Sequence, residues 1–221
     1  MFKLLRHFSI TSLIAFIIAA GLTGWLYRSV VIGNLLEVAE SKNVALTQAF
    51  ANSLWPQFAP FVESASGLDR AELQRHPEIE QLHQAVLAQM EGLSVIKVKV
   101  YDLNGLTVFS TEANQIGEDK SDNPGFLAAR AGQVASELTH RDTFSAFEGE
   151  IEDRDVFSSY IPIRRGNAGA PIEGVIEVYD DVTPLIAQME RTQRHIIVGL
   201  IITLCLLYLA LYFIVRRADH I

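Results

Sequence analysis

Two stretches of uncharged, mostly apolar residues, one near each end, constrain this chain more than any other feature. The first runs from Phe8 to Tyr27 (FSITSLIAFIIAAGLTGWLY) and the second from Ile196 to Val215 (IIVGLIITLCLLYLALYFIV). In a helix, twenty residues at about 1.5 Å each cross the roughly 30 Å hydrocarbon layer of a membrane. Lys3 and Arg6 precede the first stretch, and Trp25 and Tyr27 fall where an aromatic belt belongs. A cleaved signal peptide is the alternative for this stretch, with Ala19, Ala20 and Gly21 resembling a cleavage site. Its length argues for an uncleaved anchor, because a signal core is about 7–15 residues. A buried core helix is the alternative for the second stretch, and the unbroken apolar run speaks against it.

Orientation follows from the flanking cations. Lys3 and Arg6 on one side, and Arg216 and Arg217 after the second stretch, place both ends in the cytoplasm. The expected layout is a cytoplasmic tail (1–7), a span (8–27), an extracytoplasmic domain (28–195), a second span (196–215) and the start of a cytoplasmic linker (216–221). The setting that fits is a bacterial inner membrane, with the central domain in the periplasm and the lipid bilayer as a partner. Residues 28–195 hold 14 Lys and Arg against 25 Asp and Glu, a net of −11, whereas the two tails hold four bases and one acid. The formal charge of −8 excludes the basic footprint of a nucleic-acid binder. With 49% hydrophobic and 20% charged residues the chain is neither disordered nor of low complexity. The single cysteine, Cys205, lies within the second apolar stretch, so an intrachain disulfide and a cysteine-rich metal site are both ruled out.

The central region reads first as helix and then as strand. Asn34 to Phe61 carries Leu35, Leu36, Val38, Val44, Leu46, Phe50, Leu54 and Phe58 at spacings of three and four. Gly33–Asn34 is the expected weak point of this helix, and Pro56 is expected to bend or end it near Leu54–Trp55. A second helix is predicted over Arg70–Met90, capped by Asp69 and divided by Pro77. Val95–Leu103 alternates Ile96, Val98 and Val100 with Lys97, Lys99 and Tyr101, which predicts a strand with one buried face. Asn104–Gly105 then predicts a hairpin turn into a strand over Leu106–Thr111. A loop leads to a short helix from Pro124 to Ala131, capped by Gly132. Three more strands are predicted, at Gln133–His140, Val156–Ile163 and Ile172–Tyr179. Thr183–Pro184 starts a helix with no breaker before Arg217. The expected fold class is α+β, with a five-stranded antiparallel sheet, a long membrane-proximal helix and two flanking transmembrane helices.

The hairpin VKVYDLNGLTVFST, the strand SSYIPIR, the segment FANSLWPQFAPF and the final GVIEVYDDVTPLI give this region a recognisable pattern. Over about residues 34–182 it resembles the single-Cache, or PAS-like PDC, sensor domains of bacterial membrane receptors of the histidine kinase or diguanylate cyclase type. The resemblance implies a PAS-like domain that takes a small ligand between its sheet and the covering loops and short helix. On those elements the candidate ligand-binding residues are Tyr101, Ser110, Arg130, His140, Arg141, Tyr160 and Arg164. Arg130 is suited to pair a carboxylate through two parallel hydrogen bonds, so an anionic ligand is among the possibilities. His140 is a candidate reporter of pH. For each of these residues a core or solvated role is the competing reading. The arginine–tryptophan–tyrosine pattern of double-Cache domains is absent, so no ligand identity carries over.

Other chemistry is weakly signalled. Glu148, Glu150, Glu152, Asp153 and Asp155 crowd one segment that is expected to be a solvated turn, without the spacing of an EF-hand. Glu118, Asp119 and Asp122 form a second acidic loop, and His76 and His83 are expected at the surface. Neither a nucleophile elbow, a P-loop nor a zinc-protease motif is present. No catalytic residue, metal site or cofactor is expected. The functional expectation is therefore the non-enzymatic input portion of a signalling receptor, acting as a homodimer, in which Ala19, Ala20, Gly21 and Gly24 let the first spans approach closely. A histidine kinase parent comes first and a diguanylate cyclase parent second. Between a piece of a longer receptor and a stand-alone sensor, the former is expected, since VRRADHI resembles the start of a juxtamembrane linker. The alternative from another class is a membrane-anchored structural or assembly protein without a ligand. It predicts a sheet-side cavity filled by side chains.

Overall fold

The structure, a computed structural model, describes residues 2–147, 149–166 and 169–218. Among these, six α-helices and five strands are arranged as two compact units. One unit comprises α1 (Phe2–Ser53) up to Leu35 together with α6 (Thr183–Ala218) from Leu185. Both helices are long and apolar enough to cross a membrane. Within this unit the Gln193 side chain donates to the carbonyl of Gly24 at 3.4 Å. A Cβ on Gly24 would lie 3.5 Å from Ile197 Cδ1, so this small residue faces α6 of the same chain. The expected weak point at Gly33–Asn34 does not interrupt α1. One glycine costs only about 1 kcal/mol in a helix interior, too little to break a helix of this length.

The second unit, Leu36–Pro184, is an α+β domain built on an antiparallel sheet in the order β2-β1-β5-β4-β3. The strands are β1 (Val95–Tyr101), β2 (Thr107–Ser110), β3 (Ala135–Ala146), β4 (Gly149–Ile163) and β5 (Gly174–Asp181). Helices α2 (Trp55–Ser64), α3 (Arg70–Gln74) and α4 (Pro77–Met90) supply one layer of the core. The signals at their ends act as their chemistry requires. Pro56 sits in the first turn of α2, where its missing N–H leaves nothing unpaired. Asp69 and Glu72 form a reciprocal capping box on α3, and Pro77 opens α4.

One face of the sheet, with Val98, Val100, Ile161, Ile163, Ile176 and Val178, packs on Phe50, Trp55, Phe58, Val62, Leu82 and Val86. Trp55 is fully buried, and its indole N–H donates to Glu173 at 2.8 Å. Polar ties run from α1 to the same face. Asn43 donates to Ser159 Oγ at 3.1 Å, and Lys42 pairs with Asp180, whose other oxygen accepts from Ser94 at 3.0 Å.

Several boundaries differ from expectation. The first hairpin uses a five-residue loop rather than a two-residue turn. The Asp102 carboxylate accepts from the amides of Asn104 (2.9 Å) and Leu106 (2.8 Å), drawing Asp102–Leu106 out of the ladder. Gly105 is still required, with φ +96° and the Ser121 backbone 2.5 Å from where a Cβ would stand. Strands β3 and β4 extend well beyond Gln133–His140 and Val156–Ile163. Glu150, Glu152, Asp153 and Asp155 therefore belong to a long hairpin strand, not to a turn. Glu148 lies outside the described residues, as do Met1 of the first tail and residues 219–221 of the second. Their polar pattern hid the strand, because β3 and β4 here pair with each other and need little burial. Thr183 begins α6, but its hydroxyl accepts from the amide of Asp155 at 2.8 Å rather than from its own helix.

Candidate functional site

The sheet face opposite the helical core is polar at its centre. Alternation puts Lys97, Lys99 and Tyr101 of β1 beside Val175, Glu177 and Tyr179 of β5, and these beside Ser158 and Tyr160 of β4. The sequence predicts this face to be exposed on β1, yet Lys97 and Lys99 are only 3% and 5% exposed. What covers it is α5 (Pro124–Arg130), the loop ahead of it, and the long β3–β4 hairpin. The hairpin folds back far enough for the Phe147 amide to donate to the Ile96 carbonyl at 3.0 Å. Lys97 lies 4.3 Å from the centre of the Phe144 ring and donates to Glu112 at 2.8 Å.

The cover is held by specific local chemistry. The loop after β2 pairs back along the strand, with Thr107 donating to Glu118 and Gly117 to Thr107, both at 2.8 Å. Lys120 donates to the Gly105 carbonyl at 2.8 Å, which brings this loop over the edge of the sheet. Asn123 caps α5 by accepting from Phe126 at 3.0 Å, and Gly132, with φ +94°, ends that segment. Phe126 and Ala129 of α5 then pack on Tyr101, Val175 and Tyr160. At Gly125 a Cβ would lie 2.3 Å from the Tyr160 ring, so only glycine lets α5 approach this closely.

Between sheet and cover lies a cleft of about 590 Å³. Lys99, Glu177, Tyr160, Tyr179 and Ser158 form its floor, and Lys120, Asn123, Glu137 and Arg141 stand around it. Glu177 is 2% exposed and accepts a hydrogen bond from the Tyr101 hydroxyl. The Glu177 charge also acts on the hydroxyls of Tyr160 and Tyr179. Burial, reinforced by the Glu177 charge, pushes all three tyrosine pKa values up, so the three hydroxyls keep their protons as donors. The Lys99 pKa is pushed down. Loss of hydration outweighs the help of Glu177 and of Glu118, the latter 4.0 Å away. The floor of the cleft therefore holds the Glu177 carboxylate, already supplied with a donor, beside the Lys99 ammonium, whose lost hydration Glu177 and Glu118 only partly offset.

Of the sequence candidates the structure brings Tyr160 and Arg141 to the cleft wall, while Tyr101 is fully buried beneath it, bonded to Glu177. The others lie elsewhere. Ser110 is buried but spends its oxygen on the amide of Glu112 at 3.1 Å. Arg130 is exposed, reaches the Leu103 carbonyl at 3.5 Å and rests on Phe126. Arg164 donates to the Ala170 carbonyl. His140 stands on the hairpin beside Asp155. Lys99, Glu177 and Tyr179 are central to the cleft and were missed. The alternation in VKVKVY and IEVYD already set them on one face; what the sequence did not disclose was that this face is covered.

No family model matches the sequence, and no curated protein matches it. Among solved structures the chain is similar to the E. coli DcuS sensor domain, at 17% identity and a TM-score of 0.42, covering 70% of this chain and 97% of that one. It is also similar to the sensor domain of the V. cholerae histidine kinase DctB, at 18% identity and a TM-score of 0.42. That match covers 82% of this chain and 57% of the other, so the chain spans little more than half of that structure. A third is the periplasmic domain of RsbU from Chlamydia trachomatis, at 12% identity and a TM-score of 0.34, covering 73% of this chain and 59% of that one.

Proposed function

We propose that this chain is the input portion of a membrane-bound signalling receptor, whose extracytoplasmic domain binds a small anionic molecule in the cleft between the sheet and α5. The observation that carries the reading is the ammonium of Lys99, buried at the floor of a cleft of about 590 Å³ with its lost hydration only partly made good. An anion seated there adds to the partial compensation that Glu177 and Glu118 give Lys99, with Arg141 and Lys120 at the rim and tyrosine hydroxyls at the floor. A purely structural domain is expected to fill such a space with side chains, so the open cleft favours the receptor over the assembly protein. Apolar residues 8–27 and 196–215 cross the membrane in this reading, both ends are cytoplasmic, and the acidic central domain lies in the periplasm. The receptor works as a homodimer, and its output enzyme is a histidine kinase. Ligand binding acts by favouring one of two domain conformations, and only the difference in affinity between the two is available to the signal.

The test is a thermal-shift series on the full chain in detergent, with small mono- and dicarboxylates, inorganic phosphate, amino acids and divalent cations. At least one anion raises the melting temperature, and Lys99→Met removes that rise. Stabilisation by none of the anions, or a rise that survives Lys99→Met, overturns the ligand reading. Cysteine labels placed at the two ends and probed from outside intact cells test the topology, and a reactive end overturns it.

A further inference from the structure

Away from the cleft, the β3–β4 hairpin places one imidazole among three carboxylates. The strand residue it touches also holds the beginning of α6. We infer that His140 and Asp155 form a proton-controlled clamp on the first residues of α6, tight when the imidazole is charged and slack when it is neutral. This inference stands independently of what occupies the cleft.

His140 and Asp155 are direct partners across β3 and β4, and His140 Nδ1 lies 3.0 Å from Asp155 Oδ1. The other ring nitrogen, Nε2, faces Asp153 at 3.5 Å and Asp142 at 3.8 Å. Asp153 takes a left-handed backbone conformation, φ +54°, uncommon for a residue other than glycine. The backbone of Asp155 grips the chain on both sides of the α6 start. Its amide donates to Thr183 Oγ1 at 2.8 Å, and its carbonyl accepts from Val182 at 3.0 Å. Beside it, Asp181 accepts from the Thr183 amide at 3.0 Å and pairs with Arg154 at 3.4 Å. The charged groups facing the clamp are thus Asp142 from β3, Asp153, Arg154 and Asp155 from β4, and Asp181 from β5. Arg141, next in sequence to His140, lines the cleft instead.

A neutral imidazole donates through one nitrogen only, whereas the charged form donates through both and can bind Asp155 while satisfying the Asp142–Asp153 side. The hydrogen bond to Asp155, followed by the charges of Asp155, Asp153 and Asp142, raises the His140 pKa above its usual 6.5. A raised histidine pKa gives stabilisation that is complete below the unfolded value and is lost as pH rises through the folded one. The clamp therefore tightens on acidification within the range where histidine titrates.

The experiment is performed on the full chain in detergent micelles. The His140 ring titration is followed by NMR, and protection of the Asp155 and Thr183 amides by hydrogen exchange, at about pH 5.5 and about pH 8. The expected result is a His140 midpoint above that of a free histidine and greater protection of both amides at the lower pH. The protection difference disappears in His140→Gln, and the midpoint falls in Asp155→Asn. A midpoint at or below the ordinary value overturns the inference without reference to any variant. So does an equal pH difference in the wild type and His140→Gln.

Discussion

Lys99 sets the chemistry of the cleft because its ammonium is desolvated before anything binds. Its lowered pKa means that the unfolded chain holds more protons than the folded one between the folded value and 10.5. Lys99 therefore contributes a destabilisation that is fully present below its folded pKa and is relieved as pH rises through it. An anion in the cleft reverses the shift by favouring the charged form. Binding is thus expected to take up a proton wherever Lys99 is partly neutral, and affinity is expected to fall as pH rises through that range. Titration calorimetry in buffers of different ionisation enthalpy measures the uptake. Lys99→Met abolishes it, while the three tyrosines add nothing to it because their hydroxyls remain protonated.

At the level of the element, α5 decides whether there is a cleft at all. It is only seven residues long, too short to be stable alone, and it keeps its place through the Asn123 cap, the Gly132 terminus and contact with Tyr101 and Tyr160. The Gly125–Tyr160 approach is its tightest point. Gly125→Ala is expected to push the helix or the ring aside, at a cost of about 1–3 kcal/mol. The anion-induced rise in melting temperature should shrink in this variant even where the domain still folds. Denaturant titration together with the thermal-shift series separates the two effects. A variant with unchanged stability and unchanged response would show that α5 has room to spare.

Across the domain as a whole, the incoming helix is fastened to the sheet by a polar tie. Lys42 of α1 meets Asp180 at the end of β5, and Ser94 ahead of β1 donates to the same carboxylate. Asp180 is 1% exposed whereas the Lys42 side chain is 37% exposed. The lysine keeps much of its hydration, so the tie is weaker than a fully buried pair. Asp180→Ala leaves Ser94 without its acceptor and is expected to cost about 1–3 kcal/mol. Because Asp180 lies on the sheet face away from the cleft, the anion response should persist. Urea denaturation followed by tryptophan fluorescence gives the first quantity, and the thermal-shift series the second.

The sequence by itself determined what depends on neighbours a few residues away or on sheer length. Two uncharged runs were long enough for spans, Asp69 and Pro77 marked helix starts, Pro56 ended the long helix, and Asn104–Gly105 marked a hairpin. It also set Lys97, Lys99 and Tyr101 on one face of β1. Only the tertiary structure decided that this face is covered, that Glu177 receives the hydroxyl of Tyr101 from 76 residues away, and that Arg130 and Ser110 turn elsewhere. Capping, turns and alternation are local events that a short window of sequence contains. Desolvation of a lysine depends on what packs above it, and here that cover comes from a loop, a short helix and a hairpin distant in the chain.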